Sequence, residues 1–93
     1  MLFLVVSDPR ADRPSEAQAG RQAYWEWLDA RMAEGVILHA YPKVGRGMAA
    51  ILDVPSHEVL SQHLAAWAEM VPAQFVIHAL VDPDSVRRQL GRP

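Results

Sequence analysis

Gly35-Val36-Ile37-Leu38-His39-Ala40-Tyr41-Pro42-Lys43-Val44-Gly45-Arg46-Gly47-Met48-Ala49-Ala50-Ile51-Leu52-Asp53-Val54-Pro55-Ser56 holds two short apolar runs around a turn with two glycines. Val36 to Tyr41 and Met48 to Leu52 are each of strand length, and the Lys43 to Gly47 segment between them has the glycines that a longer hairpin loop uses. The pair reads as a β-hairpin. Asp53-Val54-Pro55-Ser56 then closes the second strand and opens a helix, with Ser56 placed as its N-cap. Alternate side chains of a strand share a face, so His39 and Tyr41 point the same way, together with Ala49, Ile51 and Asp53 across the hairpin.

After Ser56, Leu60, Leu64, Trp67 and Val71 recur at helical spacing with His63 at the margin, giving a helix to about Glu69 that Pro72 prevents from continuing. Gln74 to Val81 reads as a further strand, apolar except at His78. Asp82 as N-cap and Pro83 at the first helical position start a short terminal helix. Before the hairpin, Ser15 and Gln18 form a capping box, so a first helix runs from about Glu16 to Glu34 and stops at Gly35. Ala17, Arg21, Tyr24, Trp25, Leu28 and Met32 fall on one of its stripes. Glu26 and Asp29 face outward, and Trp27, off the stripe, is a candidate subunit contact. Leu2 to Val6, bounded by the turn-rich Ser7-Asp8-Pro9-Arg10, is the expected central strand. The order is strand, helix, strand, strand, helix, strand and a last helix. This is an α+β, ferredoxin-like βαββαβ arrangement with an antiparallel sheet, two helices on one face and a C-terminal helix.

Ninety-three residues fit one domain, 1–93, whose single core buries about 60 to 65% of the unfolded surface. A hydrophobic content of 51% and three tryptophans are hard to cover in so small a globule, and the helices leave one sheet face bare. A homodimer or higher homo-oligomer, with a second copy of the sheet on that face, is expected. A net charge of −2 gives no electrostatic footprint for nucleic acid or an anionic membrane. The chain has no cysteine, which excludes disulfides, thiolate–zinc sites and a thiol nucleophile, and suits a cytoplasmic location. Met1 to Val6 is too short for a signal peptide, and no apolar run reaches the ~20 residues of a membrane span. His57 and His63, six apart, do not share a helical face, so no metal site is expected. There is neither a phosphate-binding glycine loop nor a nucleophile elbow.

His39 has the intrinsic pKa to exchange protons near neutrality, and either serves as acid/base or sits as a structural imidazole bonded to a carbonyl. His78 poses the same choice on the last strand. Tyr41 either donates to an oxyanion or is a strand-end aromatic with a wet hydroxyl. Arg46, between two glycines at the loop tip, either clamps a ligand carboxylate or is solvated. Trp67, Tyr24 and Trp25 either wall a pocket for a ring-shaped ligand or pack the core.

Met1-Leu2-Phe3, the Glu34-Gly35 helix stop, the His39-x-Tyr41 strand and Asp53-Val54-Pro55-Ser56 followed by Leu60 resemble muconolactone isomerase and its relatives, over most of the chain from Met1 to about Pro83. The resemblance implies a dimeric α/β barrel and cofactor-free proton transfer on a small oxygenated ring or polyketide-like compound, by an isomerase or a cyclase. On this reading the catalytic candidates are His39, Tyr41 and His78, and the substrate-binding candidates Tyr24, Arg46 and Trp67. Similar barrels host other chemistry, so a cofactor-free monooxygenase on a phenolic substrate and a non-catalytic dimeric binding protein stay as alternatives. Three tryptophans suit an aromatic ligand. His39 and Tyr41 are expected to open into one pocket between sheet and helices.

Overall fold

The computed structural model describes residues 1–10 and 18–91. Along the chain lie β1 (Leu2–Pro9), α1 (Gln18–Ala33), β2 (Ile37–Pro42), β3 (Met48–Asp53), α2 (His57–Met70), β4 (Ala73–Leu80) and α3 (Pro83–Leu90). The sheet order is β2-β3-β1-β4 with every neighbour antiparallel, which makes the fold ferredoxin-like α+β and β1 a central strand. The capping box at Ser15 and the expected helix start at Glu16 lie outside the described residues.

The register sorts the side chains by face. Phe3, Val5 and Ser7 of β1 are buried beneath the helices, together with Met48, Ala50 and Leu52 of β3, while Leu2, Leu4 and Val6 point to the other face. Trp67 of α2 is 1% exposed and sits over the sheet, its ring 5.2 Å from Phe75 and 5.0 Å from Tyr24 of α1. The stripe that placed Leu60, Leu64 and Trp67 inward is therefore the one the helix uses. Ser56 caps α2 by accepting from the Val59 N–H, and Asp82 caps α3 by accepting from the Asp84 N–H.

β1 outruns the expected Leu2 to Val6. Ser7, Asp8 and Pro9 stay in the sheet because β4 offers them Phe75, Gln74 and Ala73 as partners. A second correction concerns α1. Its buried residues are Tyr24 and Leu28, with Trp27 packed against the core, whereas Trp25 and Met32 are 45% and 41% exposed. The inward face is thus turned toward Trp27, whose ring meets Tyr24 and Trp67 at 5.8 and 6.2 Å, so Trp27 is occupied within its own chain. The close approach of α1 to α2 sets this rotation: a Cβ on Gly20 would lie 2.1 Å from the Met70 carbonyl oxygen.

α1 ends as the sequence anticipates. Gly35, at φ 79°, lets its own N–H reach the Met32 carbonyl and the Val36 N–H reach that of Arg31, a Schellman closure. β2 carries a bulge between Ile37 and His39, which leaves Leu38 out of register. The hairpin tip closes through Lys43 N–H to the Gly47 carbonyl at 2.8 Å, and Gly47 adopts φ 102° with its α-carbon pressed against the β1 backbone at Ser7.

Candidate functional site

Where β1 runs out under the hairpin tip, sheet and helices part to leave a cavity of about 220 Å³. Ser7 and Met48 form its floor, Tyr24, Trp25 and Trp67 its aromatic walls, and Arg21, Lys43 and Arg46 its rim. Sheet parity places the floor: Ser7 follows Phe3 and Val5 on the helix-facing side and is 2% exposed. Its hydroxyl accepts from the Met48 N–H at 2.9 Å, which leaves its own proton to donate.

Tyr24 stands opposite on α1. Its hydroxyl is buried and has no hydrogen-bond partner among the described residues, and burial raises its pKa well above the ordinary tyrosine range. The group is therefore a proton-bearing donor at any physiological pH, never a base. Arg46 donates to the Arg10 carbonyl at 3.2 Å, which ties the hairpin tip to the end of β1. Lys43 pairs with the Asp8 carboxylate. The site thus combines two hydroxyl donors at depth, flat aromatic walls, and cationic side chains at the mouth.

Tyr24, Trp67 and Arg46 meet in this cavity, whereas His39, Tyr41 and His78 are elsewhere. His39 pairs with Ile51 and Tyr41 with Ala49, as the hairpin reading required, but Met48, Ala50 and Leu52 are the β3 residues that face the helices. His39 and Tyr41 consequently point away from the helices, and the expected pocket shared with them does not form. His78 lies on the same helix-free face. It aligns with Leu4, Leu4 with Ile51, and Ile51 with His39. The two imidazoles occupy one row at opposite sides of the sheet, three strand spacings or about 14 Å apart, too far to share an atom within one chain.

Ser7, Arg21 and Lys43 went unread in the sequence. Ser7 reads as a turn residue in the sequence, yet one further alternation of β1 puts it in parity with Phe3 and Val5 as a buried hydroxyl. Lys43 carries no sequence signal for this place, and Arg21 shares the α1 stripe with Tyr24 without any mark of a rim, because only the folded hairpin tip and α1 bring the two together. Among the described residues no cluster of three metal-ligating side chains occurs, and no helix is long and apolar enough to cross a membrane.

No family model matches this chain, and no curated protein matches it. Among solved structures it is similar to 5-chloro-2-hydroxyhydroquinone dehydrochlorinase (TftG) from Burkholderia phenoliruptrix AC1100, in complex with 2,5-dihydroxybenzoquinone. The TM-score is 0.66 over 91% of this chain and 98% of the other, at 16% identity, a likeness of fold.

Proposed function

We propose that this chain is a small enzyme of the muconolactone isomerase-like kind, which binds an oxygenated ring compound as its anion in the cavity and moves a proton on it. The Tyr24 hydroxyl, buried beneath a cationic rim and without a partner among the described residues, carries this reading. A buried donor without an acceptor costs about 1 to 3 kcal/mol, a cost that a ligand oxygen removes on binding. A cavity of about 150 Å³ holds a benzene ring, so 220 Å³ suits one ring with a few oxygen substituents. The dihydroxyquinone bound by the similar fold is a ligand of this size and chemistry.

The lining gives the chemistry its direction. Among the described residues it contains hydroxyls and cations but neither imidazole nor carboxylate. Such a site suits a substrate that is already ionised, an enolate or phenolate whose own oxyanion supplies the electron pair. Tyr24 and Ser7 donate to the ring oxygen on which charge is greatest, Arg21 and the hairpin cations hold the anion at the mouth, and water at the open rim exchanges the proton. Ketonisation of such an anion takes its proton at carbon from that water and returns hydroxide to the solvent, and a cyclase step through an enolate uses the same groups.

Trp25 and Trp67 line the cavity and report occupancy by their emission. Titration with 2,5-dihydroxybenzoquinone should quench tryptophan fluorescence saturably, and Arg21→Gln or raised salt should weaken the effect. A linear, unsaturable response to this and to lactone carboxylates would sink the reading.

A second reading keeps His39 as the acid/base with Tyr41 as oxyanion donor. It is favoured by their shared position on the helix-free sheet face, whose centre at Leu4, Val6 and Ile51 is apolar and which a second copy of the chain would enclose. His39→Gln separates the two: an unchanged turnover rate supports the cavity, and a loss of 10²-fold or more supports the histidine.

A further inference from the structure

Among the described helices, α3 is the one that buries no residue. Val86 and Leu90, one turn apart, form a stripe with Pro83, yet α3 buries no residue and Leu90 is 80% exposed. An eight-residue strand spans about 27 Å and an eight-residue helix about 12 Å. The 58 Å long axis of the molecule, against 25 and 20 Å across, shows that α3 continues beyond the end of the sheet instead of folding back. Only Val81 and Asp82 separate it from β4, and Asp82 is extended ahead of the rigid Pro83.

The same molecule has an open apolar groove of about 600 Å³ on the outer side of α2, where that helix passes over β4. Phe3, Phe75 and Ile77 form its floor and Leu60, Leu64 and Ala68 its α2 wall. Ile77 is 45% exposed although it lies on the helix-covered face of the sheet, so the cover on that side is incomplete. On α3, Arg88 lies behind the apolar stripe, and Arg87, beside it, donates to the Asp84 carboxylate of the same helix at 2.9 Å, so the helix meets a partner through its apolar side.

We propose that α3 is an exchanged arm: it docks in the α2–β4 groove of a second copy of this chain, with Val86 and Leu90 toward Phe75 and Ile77. Two features select this occupant. The apolar stripe of the eight-residue helix matches the length of the α2 wall from Leu60 to Ala68, about 12 Å, and the short link through the extended Asp82 carries the arm away from its own groove. A twofold pair then exchanges two arms at once, each copy covering the Ile77 strip of the other.

The absence of cysteine from the chain makes a direct test simple. Val86→Cys and Ala65→Cys are both at exposed positions, so each variant should fold. Chains carrying one or the other are co-expressed, purified and treated with a short bismaleimide. The expected product is a species of twice the chain mass, well above the yield from either variant alone. The double variant Val86→Cys/Ala65→Cys should likewise give two-chain products at low micromolar concentration. A closed single-chain product from the double variant would place the arm in its own groove, and no added product from the mixture would leave the groove without its arm; either result overturns the proposal.

Discussion

Tyr24 illustrates how a buried hydroxyl differs from a buried ring. Its ring packs against Trp67 and Trp27 at 5.0 and 5.8 Å, which stabilises the core, while its oxygen has no partner among the described residues. Tyr24→Phe keeps the packing and removes the orphaned group, so its melting temperature should equal or exceed that of the parent, by an amount worth about 1 kcal/mol. Its kcat/KM should fall about 10²- to 10³-fold if the hydroxyl stabilises an oxyanion. Alkaline titration gives a second readout. Burial raises the folded-state pKa above the unfolded value of 10.0, so the unfolded chain releases this proton first and stability falls as pH rises past about 10. That slope should be shallower in Tyr24→Phe, and equal slopes in the two proteins would show that Tyr24 is solvated. Ser7 behaves oppositely. Ser7→Ala strands the Met48 N–H in the core and should cost about 1 to 3 kcal/mol by denaturant unfolding.

At the scale of elements, the contact of α1 with α2 decides which side chains enter the cavity. Gly20→Ala would drive a methyl into the Met70 carbonyl, a backbone atom that cannot yield, and should cost about 2 to 3 kcal/mol. Gly35→Ala meets no atom but must hold φ near 79°, at a cost of about 1 to 2 kcal/mol. Trp67→Ala should cost about 3 to 5 kcal/mol, and a smaller loss than that of Gly20→Ala would show that the ring carries less of the core than its 1% exposure implies. The sequence carries these elements unevenly. Ser56, Gly35 and Asp82-Pro83 are local signals, acting within one turn of chain, and each marks a boundary where the structure has one. The rotation of α1 is not local. Trp25 and Trp27 are both compatible with an inward stripe, and the approach of Gly20 to Met70, residues fifty apart in the chain, chooses between them. His39 and Tyr41 fall in the same class. Their shared face follows from strand parity, but which face the helices cover depends on both hairpin strands packing at once.

For the molecule as a whole, the helix-free sheet face presents Leu2, Leu4, Val6, Ile51, Val76 and Leu80, with Val76 49% and Leu80 37% exposed. A contiguous surface of this kind calls for cover. We expect sedimentation at micromolar concentration to show a dimer, and Leu4→Glu, at the centre of that face, to shift it toward monomer without changing far-UV dichroism. A monomeric parent would refute this. The cavity opens beneath the hairpin tip on the helix side, so tryptophan quenching by ligand should survive in the Leu4→Glu monomer. The two borders of the sheet are unlike. β2 breaks its ladder with the bulge at Leu38 and ends on Pro42, which has no N–H to offer, whereas β4 runs its eight residues without a proline or a bulge. A chain with one blunted border and one receptive border cannot template an endless ribbon. Once two receptive borders have met, only blunted ones face outward, so concentrated solutions should reach a fixed particle size in light scattering and stop there.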